Sequence, residues 1–379
     1  LAIRIEKILI QEKVLDEPLT RRILKNCPKI PHTVVGEEIA EDFFHPISLR
    51  QGKRMLFLTE HKGDQVRPCP GTLPPYLCCR YTVINSVLQC PMDCSYCILQ
   101  TYLDRPVVTL HVNLFDMFQN VQQLVANEPC RFFRFGTGEL SDSLALDSIT
   151  GLSRDFTDFF STQRNTILEL KTKTNCIQNL LSCKTGNTVV SWSLNPQKLV
   201  EGEERGSASI EERLKAARQC QDRGFLLGFH FDPILWVDPW ESLYRELIQQ
   251  LFSHVDGSRI AWVSLGSLRF PPALKEIVQK RFPKNRIVCE EMIRGQDGKM
   301  RYPRPLRTGM YQKVFGWIKE EAPDLFVYFC MESPTVWDRV TGNHPESNEE
   351  LDFWFAQSLW QRFPELDMDE PRREVYIPD

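Results

Sequence analysis

The sequence predicts an α/β fold: a partial (β/α)6 TIM-like barrel with N-terminal and C-terminal extensions. Three observations carry this reading. From about residue 79, short runs rich in β-branched and aromatic residues alternate with longer runs of helical periodicity. Alternation of that kind builds a parallel sheet through right-handed crossovers. The units number six before about residue 270, too few for a closed eight-fold barrel.

Residues 1–75 form the N-terminal α/β extension. IRIEKILI (3–10) and RMLFLTE (54–60) read as strands, PLTRRILKN (18–26) as a short helix, and the Pro/Gly-rich RPCPGTLPPY (67–76) as a loop. The barrel occupies 76–270. Its expected strands are YTVINSVL (81–88), CRFFRFG (130–136), TILELKTK (166–173), TVVSWSL (188–194), FLLGFHFDPI (225–234) and RIAWVSLGSL (259–268). Helices are expected over 110–125, 148–162, 176–182, 209–224 and 240–255, the fourth ended by Gly224. In the C-terminal extension, 271–379, segments 285–293 and 325–332 read as strands and 311–322 as a helix, with an irregular acidic end.

Composition narrows the function classes. With 42% apolar and 25% charged residues, the chain has the make-up of a globular protein. A net charge of −4 argues against bulk electrostatic binding of nucleic acid, though it leaves room for a local basic groove. No apolar run reaches the roughly 18 residues of a membrane span, and LAIRIEKILIQEK lacks the uninterrupted apolar stretch of a signal peptide. Thirteen cysteines, an odd count, fit a cytoplasmic chain with metal-ligating thiols better than an exported disulfide framework.

Cys90-Pro-Met-Asp-Cys94-Ser-Tyr-Cys97 is the central chemical signal. Three thiolates on one tight loop suit three irons of a cubane cluster and leave the fourth iron open. Zinc wants four ligands, commonly as two close pairs, and no second pair has that spacing. Buried structural thiols are the plainest alternative. Chemistry in a barrel sits at the C-terminal ends of the strands. There the sequence places Gly136, Thr137, Gly138 and Glu139, then Lys173, then Ser193 and Asn195, then His230. These are the candidate cofactor-binding residues.

The cysteine segment resembles the signature of the radical S-adenosylmethionine superfamily. The resemblance implies a [4Fe–4S] cluster on Cys90, Cys94 and Cys97 and S-adenosylmethionine as cofactor. It also implies a reducing partner such as a flavodoxin or ferredoxin. Gly136–Glu139 stands where that superfamily receives the methionine amino group. CPMDCSYCILQTYL, SLNP, ERGSASIEERLKAA, GFHFDPI and SLGSLRFPPALKEIVQKRFP together are similar to the spore photoproduct lyase family, over about residues 65–340. That resemblance implies radical cleavage of a thymine dimer in DNA, with a hydrogen atom returned at the end.

Two departures from the family pattern stand out. The usual donor cysteine after the second strand is absent, Gly136-Thr137-Gly138-Glu139 standing there, and a tyrosine after the third cluster cysteine is Ile98. Tyr96, Cys79 and Cys330 are therefore the candidate catalytic residues, the thiols as replacement hydrogen donors. Arg294, Lys299, Arg301, Tyr302 and Arg304 form a basic, aromatic-containing hairpin around GQDGK, a candidate DNA contact. The expected function is a DNA-repair lyase. The alternatives are radical chemistry on a non-DNA substrate, and a non-enzymatic, metal-bearing nucleic-acid-binding module.

Overall fold

The Val/Ile/Leu/Phe-rich runs become strands buried on both faces, which is what a parallel sheet covered by helices requires. In the computed structural model, which describes residues 4–37, 39, 41–71 and 74–377, the central sheet holds seven parallel strands: β1 (Thr82–Ile84), β2 (Phe133–Gly136), β3 (Thr166–Thr172), β4 (Thr188–Ser193), β5 (Leu226–Ile234), β6 (Ile260–Ser267) and β7 (Val327–Phe329). Each pairs in parallel with the next. Val66–Pro68 closes the open edge antiparallel to β1. The sheet curls into the partial barrel expected from the sequence.

Two of the helices are laid down where the periodicity placed them. The helix Ile210–Asp222 opens with a capping box between Ser209 and Glu212 and buries Ile210, Leu214 and Ala217. Gly224 then turns the chain at φ +96°, a conformation that favours glycine. The helix Trp240–His254 covers the next crossover. Trp192 on β4 and Trp262 on β6 are fully buried, and Trp262 points inside the barrel, where its Nε1 donates to Glu169.

Several elements differ from expectation. YTVINSVL is two strands, β1 and Val87–Leu88, and the second leaves the barrel. It joins a five-stranded sheet with His32–Val35, Lys7–Gln11, Met55–Thr59 and Val108–His111. That sheet therefore combines residues 7–59 with residues 87–111, and the helix expected from residue 110 starts at Leu114. Residues 148–162 form two helices, Asp147–Thr150 and Leu152–Phe160, separated by Gly151 at φ +66°. The 176–182 segment is reduced to a 3-10 turn at Leu180–Ser182, and 285–293 to one at Ile287–Cys289. β7, assigned by sequence to the C-terminal extension, completes the barrel sheet. Ile3, Thr72 and Leu73, within segments read above as strand and loop, lie outside the described residues, as do Pro378 and Asp379.

Candidate active site

The cysteine loop follows β1 and Val87–Leu88, and a short strand, Asp93–Cys94, fixes it by pairing antiparallel with Glu204–Arg205. Lys53 Nζ holds the loop from behind, donating to the carbonyls of Cys90 at 2.8 Å and Met92 at 2.5 Å. Gln100 Nε2 ties its far end, donating to the carbonyls of Ser95 at 3.0 Å and Cys97 at 3.1 Å. Held in this way, Cys90, Cys94 and Cys97 all face one cavity of about 500 Å³ at the C-terminal mouth of the barrel. Burial pushes the Cys90 thiol up to about 12 and raises Cys94 as well. Buried thiols of this kind become good ligands once a metal replaces the proton. Among the described residues, no three His, Cys, Asp or Glu side chains converge on a single-ion position. Three thiols lining a cavity suit a cluster, in which each thiolate takes a different iron.

Glu139 and Gly138, beyond the end of β2, also line the cavity. Glu139 Oε2 is buried without a hydrogen-bond partner, and burial raises its carboxyl. An unpartnered buried carboxylate oxygen is costly unless a donor arrives, and the ammonium of an amino acid is such a donor. Gly136 and Thr137 do other work. A Cβ on Gly136 would collide with the Tyr81 side chain, and Thr137 Oγ1 donates to Ser143 Oγ at 2.8 Å. Neither lines the cavity.

Lys173 and Ser193 line the cavity, but Lys173 is already paired, at 2.6 Å from Glu204 Oε1 and 2.7 Å from the Tyr96 hydroxyl. Asn195 lies deeper. Its Nδ2 donates to Glu204 Oε1 at 3.0 Å and its Oδ1 accepts from Tyr244 at 2.7 Å. Arg213, fully buried, donates to Glu204 Oε2 at 2.6 Å and to the Ser193 carbonyl at 2.8 Å. Burial alone would raise Glu204, but Lys173 and Arg213 hold it well below the usual carboxylate range. Tyr96, whose hydroxyl donates to Glu204, is thereby fixed with its ring at the cavity.

His230 is absent from the cavity wall. It lies in a buried layer inside the barrel, Nε2 2.7 Å from Glu169 Oε1, which also accepts from Ser191 at 2.6 Å and Trp262 at 3.1 Å. Burial pushes Glu169 up, yet His230 and these donors hold it at about 2. The cofactor-binding role expected for His230 gives way to structural pairing.

The thiols sort in the same way. Cys330, beyond β7, lines the cavity, and Arg269 Nη2 donates to its Sγ at 3.2 Å. Arg269 is held by Asp232, with contacts of 3.0 and 2.9 Å. Burial pushes Cys330 up to about 12 against the pull of Arg269, so it stays a thiol. Cys79 lies behind the wall, where a hydrogen bond from Cys78, with Arg134 alongside, lowers its thiol despite burial. A sulfur that does not line the cavity cannot reach a substrate there, so Cys79 does not fit the donor role. Cys69 takes a place on the wall instead.

The basic hairpin exists, with Ile293–Arg294 paired to Met300–Arg301. Its charges are divided between the interior and the surface. Arg301 is buried against Asp297, Nη2 to Oδ2 at 2.7 Å, with its guanidinium 4.2 Å from the Tyr76 ring centroid. Tyr302 is buried and its hydroxyl accepts from the Trp236 amide at 3.1 Å. Neither can hold a phosphate or wedge a base. Lys299 reaches the cavity, while Arg294 and Arg304 are exposed.

Sequence reasoning missed Glu204, Arg213, Asp142 and Lys53. Arg213 carried a signal: it interrupts the apolar face of its helix between Ile210 and Leu214, and a charge on that face needs a buried partner. Asp142 accepts from the amides of Leu144, Ala145 and Lys173 and from Thr172, tying the loop after β2 to the end of β3.

Known proteins share this architecture. The chain is similar to solved structures of spore photoproduct lyase at TM-scores of 0.75 and 0.74, with 24% and 23% identity over 86% of this chain and 98% of theirs. The first is a variant with bound AdoMet and dinucleoside spore photoproduct, the second a complex with dinucleoside spore photoproduct. The spore photoproduct lyase of Geobacillus sp. is 30% identical over 304 residues, 73% of this chain and 87% of that protein. That of Bacillus subtilis is 26% identical over 303 residues, 73% and 86% of the two chains. The family model for spore photoproduct lyase matches residues 80–320, the span that contains the cysteine loop and all but the last strand of the barrel. By this match and by its identity to the Geobacillus protein, the chain belongs to the spore photoproduct lyase family.

Proposed function

We propose that the protein is a radical S-adenosylmethionine lyase that repairs a spore-photoproduct-type thymine dimer in DNA. The observation that carries this is the single cavity shared by Cys90, Cys94 and Cys97, the unpartnered Glu139 carboxylate and the Cys330 thiol, in a chain of that family. A [4Fe–4S] cluster on the three cysteines would supply the electron that cleaves S-adenosylmethionine to a 5′-deoxyadenosyl radical.

The chain's own residues do the rest. Glu139 and Ser193 would hold the cofactor, Glu139 receiving its amino group. Lys173, Asn195 and Arg213 act by positioning, locking Glu204 and through it Tyr96. The apolar part of the wall, including Met92, Ile98, Leu99 and Leu268, excludes water from a reactive intermediate. Cys330 faces the cavity with its S–H intact and gives a hydrogen atom to the product radical, its S–H bond breaking as the product C–H bond forms and the unpaired electron passing to sulfur. Lys299, Arg294 and Arg304 take the DNA phosphates. No helix among the described residues is long and apolar enough to cross a membrane. Thirteen free thiols support a reducing, cytoplasmic setting.

The test is anaerobic. Protein reconstituted with iron and sulfide, reduced with dithionite and given S-adenosylmethionine should release 5′-deoxyadenosine. With an oligonucleotide carrying the dimer it should restore two thymines. Cys94→Ala should abolish both reactions. Cleavage without repair would send the search to a non-DNA substrate, and zinc without sulfide would end the enzyme reading.

A further inference from the structure

Behind the cysteine loop lies a second concavity, of about 470 Å³, that the proposed reaction does not use. Its wall alternates with that of the first. Cys90, Met92 and Cys94 face the cavity, whereas Pro91 and Asp93 face this cleft. Alternation with period two is the property of an extended strand, so one strand's thickness separates the cluster cysteines from the cleft.

The cleft is basic. Arg50, Lys53, Arg54, Arg205 and Arg281 line it against the single carboxylate of Asp93. Arg281 chelates Asp93 at 2.9 and 3.1 Å, and buried Lys53 is engaged by the loop carbonyls. Arg54 pairs with exposed Glu6 at 3.0 Å. Arg50 and Arg205 are exposed and have no carboxylate within ion-pair distance among the described residues. Phe282 lies between the guanidiniums of Arg205 and Arg281, 4.8 and 4.9 Å from its ring centroid, and gives the cleft an apolar floor. A rim of free cations around an aromatic centre is the pattern of a protein-docking surface.

We propose that this cleft docks a small acidic one-electron carrier protein, which delivers the reducing electron across the cysteine loop. The inference rests on the cluster reading above. One electron leaves the carrier's reduced centre and enters the cluster; no bond forms or breaks and no proton moves. The position of the cleft favours a carrier over DNA. It lies on the face of the loop opposite the cavity, so a lesion seated there cannot reach Cys330 or Glu139, while an electron needs to cross only the loop.

The test uses a small acidic [2Fe–2S] ferredoxin and the double variant Arg50→Glu/Arg205→Glu, with Arg218→Glu, a charge reversal on another face, as control. Ferredoxin should bind the wild-type protein, with or without its cluster, and binding should weaken steeply with salt. In the double variant, cluster bleaching by reduced ferredoxin should slow about tenfold or more. Bleaching by dithionite should be unchanged, which also shows that the variant is folded and loaded. Ferredoxin-driven reduction within twofold of wild type would overturn the proposal. So would a loss of oligonucleotide binding with ferredoxin reduction intact, which would assign the cleft to nucleic acid. A wild-type protein that dithionite cannot bleach would overturn the cluster reading and this one together.

Discussion

The hairpin Ile293–Arg301 and the cleft behind the cysteine loop are both rich in basic residues, yet they hold their charge differently. In the hairpin, Arg301 is buried against Asp297 and the Tyr76 ring, and six residues on Arg307 is buried against Glu332 at 2.9 Å. In the cleft, Arg50 and Arg205 face solvent from segments far apart in the chain. Part of a contiguous basic run, Arg301 and Arg307, was a strut, and a dispersed set of cations formed a surface. Charge density along a sequence therefore says little about charge density in space unless the anions that will pair with it are located too.

Four substitutions test that contrast. The largest effect is expected from Arg301→Ala, which leaves Asp297 buried without its partner and should cost about 3–5 kcal/mol of stability, read by denaturant unfolding. A cost under about 1 kcal/mol, the level of exposed pairs, would return the hairpin to the surface. The second concerns pH. Burial would raise Asp297, but Arg301 holds its folded value below the ordinary 3.8. Its contribution is therefore present above 3.8 and is lost as pH falls through the lower folded value. Asp297→Asn should be less stable than wild type at neutral pH, with the gap closing below 3.8. A gap that stays constant across that window would remove the ionic account. The smallest effect is expected from Arg294→Ala and Arg304→Ala, which should leave stability within about 0.5 kcal/mol. Each should lower the salt slope of oligonucleotide binding by about one, and an unchanged slope would take DNA away from the hairpin altogether.

The six strands before residue 270 were legible because alternation with helices is written locally. So was the cysteine loop, whose three thiols sit within eight residues of one another. β7 was not legible as a barrel strand: it is three residues long and follows nearly sixty residues of other structure. Glu139 was expected from its place at a strand end, and it lines the cavity with one oxygen without a partner. His230 and Asn195 were expected at the cavity-facing strand ends but lie deeper, held by Glu169 and Glu204, which belong to other segments. Cys79 and Cys69 could not be separated by sequence, since only packing decides which sulfur faces the cavity.

β7 has a consequence for how the protein is made. The cysteine loop leaves the ribosome early, whereas the strand that leads into Cys330 and Met331 emerges last of the barrel. Until β7 docks on β6, the three thiols look onto an unfinished wall. Long-range strand pairing is slow compared with helix formation, so the nascent chain passes through a period with its three thiols already arrayed and its chamber still open on one side.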